Sequence, residues 1–143
     1  MRFVLDASVA SSWLLNDGNS ADAAASIALL QGLRDPSAQA LVPATWPLEI
    51  ANVLARGESR GILVENQTQA FLALLANLPI TVDTETAARS FTAILDVARR
   101  RALPVYDASY LELALRMQLP LATFDKDLRR AATQAGVPAA LAE

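Results

Sequence analysis

Phe3-Val4-Leu5-Asp6-Ala7-Ser8 sets the fold: three apolar residues, one acid, then small residues entering a helix. An apolar run this short reads as a buried strand, and Ala7 to Leu15 reads as a short helix leaving it. The pattern recurs once. Val4-Leu5-Asp6-Ala7-Ser8 and Val105-Tyr106-Asp107-Ala108-Ser109 share V-x-D-A-S, and each places an Asp where an extended segment passes into a helix. The repeat is too short for a duplicated domain, but it predicts two similar acidic corners.

Working outward, the turn 16–19 stops the first helix and Ser20 can cap the next, 21–33. Ala40-Leu41-Val42 is a second short strand. A helix from Thr45 or Trp46 to about Arg60 carries Pro47 in its first turn and ends at Gly61. A further helix covers 64–77, Ile80-Thr81-Val82 is a third strand, and Asp83 or Thr84 caps a helix to Arg101. Pro104-Val105-Tyr106 is expected to be extended, with Asp107 opening a helix to Met117. Leu121 to Phe124 is a fourth strand, 126–135 a last helix ended by Gly136, and Val137 the seed of a fifth strand. Short apolar strands alternating with helices predict an α/β fold with a mainly parallel sheet buried on both faces.

Composition narrows the chemistry. The chain has 143 residues, 53% apolar and 19% charged, with no Cys and no His. This length suits one domain, burying roughly 70% of the unfolded chain's surface. Without thiol or imidazole, any metal or acid–base chemistry falls to carboxylates, which suit magnesium or manganese rather than zinc or copper. The absence of Cys is compatible with a cytoplasmic protein. The first acid follows only three apolar residues, too few for a signal-peptide core, and the uncharged stretch 66–82 is short and polar-interrupted for a membrane span. A net charge of −3 weighs against a dedicated nucleic-acid binder. Metal bound among gathered acids would reverse that local field.

In open parallel sheets, ligands bind beyond the carboxyl ends of the strands. Asp6 ends the first strand, Asp125 follows the fourth, and Asp107 leads a helix from the same side if the crossovers are right-handed. Glu49 lies inside a helix, on a face shared with Asn52, Val53 and Arg56. Each acid has an ordinary alternative. Asp6, Asp107 and Asp125 are favoured N-caps, and Glu49 is a solvated helix residue able to pair with Arg56 or another arginine. A shared cation site is the competing reading, because carboxylates gathered at one edge repel until a divalent ion joins them.

Four segments together resemble the PIN-domain family, specifically the VapC-type toxins. They are Val4 to Ser8, Glu49 to Leu54, Tyr106 to Leu111 and Leu121 to Leu128. The resemblance spans nearly the whole chain. It implies a single PIN-like domain over 1–143, a three-layer sandwich with a central, mainly parallel sheet of four to five short strands and about seven helices. It implies a magnesium- or manganese-dependent endoribonuclease whose catalytic, metal-binding pocket is Asp6, Glu49, Asp107 and Asp125. Ser8, Asn52 and Thr123 match supporting positions, and Asp127 either joins the pocket or solvates the last helix. It also implies an RNA substrate, a cytoplasmic homodimer without membrane attachment, and a small cognate antitoxin as inhibitor. Trp13 and Trp46 are available to such interfaces, although aromatic residues more often fill cores. Arg99-Arg100-Arg101 and Arg129-Arg130 are candidate phosphate contacts or solvated helix ends.

Two other classes remain open. One is a catalytically silent PIN-like binding module, which loss of one acid would favour. The other is a different α/β phosphoryl-transfer domain. A haloacid-dehalogenase-like site wants a second Asp where Ser8 stands, and a receiver wants an acidic pair near the first strand with a later lysine, the sole lysine being Lys126. The glycines, at 18, 32, 57, 61 and 136, form no phosphate loop.

Overall fold

The computed structural model describes residues 1–15 and 21–141. The expected turn 16–19 and the Ser20 cap lie outside the described residues. In chain order the elements are β1 (Arg2–Leu5), α1 (Ala7–Ser12), α2 (Ala21–Gly32), β2 (Gln39–Val42), α3 (Trp46–Ser59), α4 (Glu65–Ala76) and β3 (Ile80–Val82). A continuous helical run follows: α5 (Thr86–Arg89), a π-helical segment (Ser90–Ile94) and α6 (Leu95–Arg101). Then come α7 (Val105–Met117), β4 (Leu121–Ala122) and α8 (Lys126–Gln134). Counting the run from Thr86 to Arg101 as one helix, the described residues hold seven helices around four strands.

The sheet is parallel throughout, in the order β3-β2-β1-β4. The chain steps outward from β1 to β2 to β3, then returns past β1 to β4. Right-handed crossovers therefore put the β1–β3 connections on one face and the return on the other. Packing agrees, with α1 lying against α2 and α3 while α7 lies against β1, β4 and α6. The reversal leaves a crevice between the carboxyl ends of β1 and β4. Phe3, Val4, Leu5, Ala40 and Val42 are fully buried, as strands covered on both faces must be. Trp46 belongs to this core, and Trp13 packs against it while donating its indole N–H to the Ser26 carbonyl at 3.0 Å.

Several boundaries depart from expectation. Pro104 to Tyr106 is not an extended segment: Pro104 is the N-cap of α7, and its carbonyl accepts the Ala108 N–H at 2.9 Å. A proline just outside a helix lacks only an N–H that the helix would leave unsatisfied. Asp107 is thus the third residue of α7, not its cap. α1 stops at Ser12 rather than Leu15. β4 is two residues long, and beyond it the Thr123 hydroxyl donates to Asp6 while Asp125 accepts the Leu128 N–H. In place of a strand at Val137, Ala139 makes one parallel bridge to Leu121. Asp83 and Thr84 do not cap the run to Arg101, which starts only at Thr86. Gly61 and Gly136, at φ +73° and +81°, do follow the ends of α3 and α8 as read from sequence.

Candidate active site

Asp6 leaves β1 at the crevice. Its backbone N–H is held by the Ala122 carbonyl at 3.0 Å, so the β1–β4 ladder fixes where its side chain begins. It occupies the N-cap position of α1, yet its carboxylate caps nothing there. Instead Oδ2 accepts two hydroxyls, Ser8 Oγ and Thr123 Oγ1, each at 2.7 Å. Both hydroxyls are themselves oriented: Ser8 Oγ accepts the Phe124 N–H at 3.1 Å, and Thr123 Oγ1 accepts the Asp125 N–H at 3.0 Å. A carboxylate that is 5% exposed is thereby clamped from the first turn of α1 and from the end of β4. Burial raises the Asp6 pKa, the two hydroxyls oppose it, and the Asp125 charge raises it further.

Glu49 sits in the first turn of α3. Its Oε1 accepts the Tyr110 hydroxyl at 3.0 Å, in place of the arginine partner considered from sequence. Burial raises its pKa, the Tyr110 bond lowers it, and the charges of Asp6 and Asp107 push it up. Tyr110 is fully buried, and burial with Asp6 and Glu49 beside it keeps its hydroxyl protonated as a donor. The bond ties the first turn of α3 to the second turn of α7. Sequence reading passed over Tyr110, although its spacing from Asp107, i to i+3 on one helix, was a usable signal.

Asp107 is the exposed nerve of the group. No described residue gives it a hydrogen bond or an opposite charge. Burial, then Asp125, Asp6 and Asp127, push its carboxyl up to about 6. The similarity of the two acidic corners stops here. Ser8 donates to its own Asp, whereas Ser109 donates to the Tyr106 carbonyl and leaves Asp107 alone.

Asp125 is exposed and is the N-cap of α8, accepting the Leu128 N–H at 2.8 Å. The capping role is therefore real for this acid, while its charge still acts on Asp6 and Asp107. Asp127, also exposed, pairs with Arg130 at 2.7 Å. Asn52 is exposed on α3 and makes no hydrogen bond to a described residue. Asp6, Glu49, Asp107 and Asp125 thus share one electrostatic neighbourhood. Among the described residues, however, no group of three or more carboxylates is drawn together tightly enough to hold a metal ion as it stands. The donor chemistry itself fits a hard divalent cation: oxygen donors only, one of them without a partner and burdened by like charge.

The later turns of α7 carry an ion-pair network that the sequence does not reveal. Arg116 of α7 holds Asp83 at 2.7 Å, Glu112 at 2.9 Å and Glu85 at 3.3 Å, and Arg89 reaches Glu112 at 3.6 Å. Asp83 also accepts the Thr86 hydroxyl, whose oxygen accepts the Ala44 N–H just before α3. The network therefore joins β3, α5 and α7 to the approach of the helix that carries Glu49.

No curated protein matches the chain. Its fold resembles PAE2754 from Pyrobaculum aerophilum, at 21% identity over 92% of this chain and 79% of that one, with a TM-score of 0.64. It also resembles FitAcB from Neisseria gonorrhoeae, at 24% identity over 97% and 96% of the two chains, TM-score 0.61. A structure of FitAB bound to an IR36 DNA fragment is similar at 23% identity, over 97% and 93%, TM-score 0.61. At these identities the likeness bears on the fold alone. The sequence itself matches the PIN domain family model from residue 3 to residue 134, across all four acids and their supporting hydroxyls. This chain belongs to the PIN domain family.

Proposed function

We propose that the chain is a divalent-metal-dependent endoribonuclease and the toxin of a VapBC-type toxin–antitoxin pair. PIN domains are typically nucleases and generally use divalent metal ions, which supports the hydrolase class. The observation that carries the reading is the crevice itself. A buried Asp6, clamped by Ser8 and Thr123, lies within electrostatic reach of an unpartnered Asp107 raised to about 6, at the switch point where open sheets bind ligands.

In this reading Asp6, Glu49, Asp107 and Asp125 hold the ion, with Ser8 and Thr123 fixing Asp6 and Tyr110 fixing Glu49. A bound magnesium or manganese ion would supply Lewis-acid polarisation of the phosphodiester and a more acidic water. The protein's own part is orientation. The hydroxyl pair prevents Asp6 from rotating away, and the Tyr110 bond keeps Glu49 turned inward. At neutral pH, Asp107 is mostly ionised and open to a cation. Asp127 is assigned to solvating α8 through Arg130, and Asn52 to the pocket rim on α3.

The toxin role rests on the VapC-type resemblance and on a fold shared nearly end to end with FitAcB. By the same likeness, we assign the chain a small antitoxin partner and a homodimeric state. No described helix is long and apolar enough to cross a membrane.

The test is cleavage of single-stranded RNA by purified protein. Cleavage is expected with magnesium or manganese and is expected to stop on adding chelator. Undiminished cleavage in chelator, or none with either metal, would overturn the reading.

A further inference from the structure

The segment entering α7 carries a second feature that the acids do not explain. Tyr106, one residue before Asp107, is 66% exposed, and Val105 beside it is 44% exposed. A three-residue connection, 102–104, joins this turn to the last turn of α6, which holds Arg99, Arg100 and Arg101. Arg100 pairs with Asp96 at 3.0 Å. Arg99 and Arg101 make no hydrogen bond or ion pair with any described residue. Elsewhere Arg116 and Arg89 are committed to the network, Arg130 to Asp127 and Arg129 to the Thr123 carbonyl. Two uncommitted guanidinium groups and an exposed aromatic ring therefore lie on the hairpin that delivers Asp107.

We infer that this corner binds single-stranded RNA next to the acidic pocket, with Tyr106 stacking on a base and Arg99 and Arg101 holding backbone phosphates. The inference rests on the ribonuclease reading and extends it to substrate contacts. A polyanion approaching four acids on a chain of net charge −3 needs cations near the pocket, and Arg99 and Arg101 end the helix that packs on α7 and leads into it. Aromatic rings flanked by cations are how proteins hold single strands, because every base offers a face to stack on.

The probe is a fluorescein-labelled, single-stranded oligoribonucleotide of mixed sequence, read by anisotropy with magnesium present. Binding is measured in an Asp6→Asn background, so that the RNA stays intact. Adding Tyr106→Ala is expected to weaken binding roughly tenfold, and Tyr106→Phe to restore it, since stacking needs the ring and not the hydroxyl. Arg99→Gln and Arg101→Gln should each weaken binding and flatten the log–log salt dependence by about 0.7. Tyr106 and Arg99 are exposed and Arg101 is half-buried without a bond to a described residue, so melting temperatures should stay level. If Tyr106→Ala binds like its parent while the wild type cleaves RNA, the stacking inference fails and the nuclease reading stands. If the parent does not bind RNA and the wild type does not cleave it, both fail. Unchanged RNA binding with loss of self-association in sedimentation would instead make this corner a protein interface and overturn the inference.

Discussion

RNA cleavage by Asp6→Asn is expected to fall on the order of 10³-fold, because the substitution removes the charge at the best-fixed oxygen of the pocket. The fold should survive. An amide oxygen can still accept the Ser8 and Thr123 hydroxyls, so the clamp keeps its geometry. Burial raises the Asp6 pKa, so losing that charge relieves the folded state, and the melting temperature should stay level or rise. Thr123→Val separates orientation from charge. It leaves the carboxylate but removes one of its two donors, and cleavage should fall roughly 10- to 100-fold, as for partners that orient a metal-binding group. Full activity in Asp6→Asn, measured as RNA cleavage rate beside an unchanged circular dichroism spectrum, would remove Asp6 from the chemistry.

Arg116→Leu is expected to destabilise the protein by about 3 kcal/mol, the low end of what breaking a buried ion pair costs, since the Arg116 side chain is 15% exposed. For a chain of this length that is a fall of about 10 °C in melting temperature. The loss comes from what remains behind. Glu112, 5% exposed, keeps only the longer contact to Arg89, and Asp83 keeps only hydrogen bonds such as that from Thr86. The sign with pH follows from Asp83. Burial raises its pKa, but Arg116 and Thr86 outweigh that and hold it below the ordinary carboxylate value. Stability from this pairing is therefore present above that value and lost as pH falls through the lowered one. Urea unfolding at pH 7 measures the effect, and a variant within 1 kcal/mol of wild type would show that the network is solvent-screened rather than structural.

The two effects meet in the architecture. The Arg116 network anchors the C-terminal half of α7 and, through Thr86 and Ala44, reaches the entry to α3. The Glu49–Tyr110 bond links the same two helices a second time. Glu49 and Asp107 are thus carried on elements held at two points, which is how a surface pocket acquires fixed walls.

Strand-end acids were legible because an apolar run that stops at Asp has few other meanings. Phe3-Val4-Leu5-Asp6 could be placed before any coordinates, and the parallel order put Thr123 beside it. The entry to α7 was misjudged because proline signals both extended chain and the position just outside a helix. That shift by two residues moved Asp107 from a cap to an open carboxylate, which makes it more available to a cation than the sequence suggested. Asp125 went the other way, since its capping bond is present alongside its electrostatic role. The Arg116 network was not legible at all. Arg116 and Asp83 lie 33 residues apart with no periodicity linking them, and only the packing of α7 across the sheet brings them together. The π-helical segment likewise left no mark that period-3.6 reading could detect.

The claim beneath the assignment is that Asp107 pairs with a divalent cation shared with its neighbouring acids. Its folded pKa, raised from 3.8 to about 6, means that stability at this position is present below the lower value and lost as pH rises through the upper one. At pH 7.5 in chelator, Asp107→Asn should therefore be more stable than wild type by about 1 kcal/mol, the full shift being reduced because the carboxyl is partly exposed. Below pH 4 that advantage should vanish. Adding manganese at pH 7.5 should reverse the order, because the ion stabilises the protein that binds it and Asp107→Asn binds it less well. The decisive measurement is the melting temperature of both proteins at pH 7.5, with chelator and then with manganese. The two melting temperatures should change places; a gap of the same sign and size in both conditions would mean that no cation rests on Asp107.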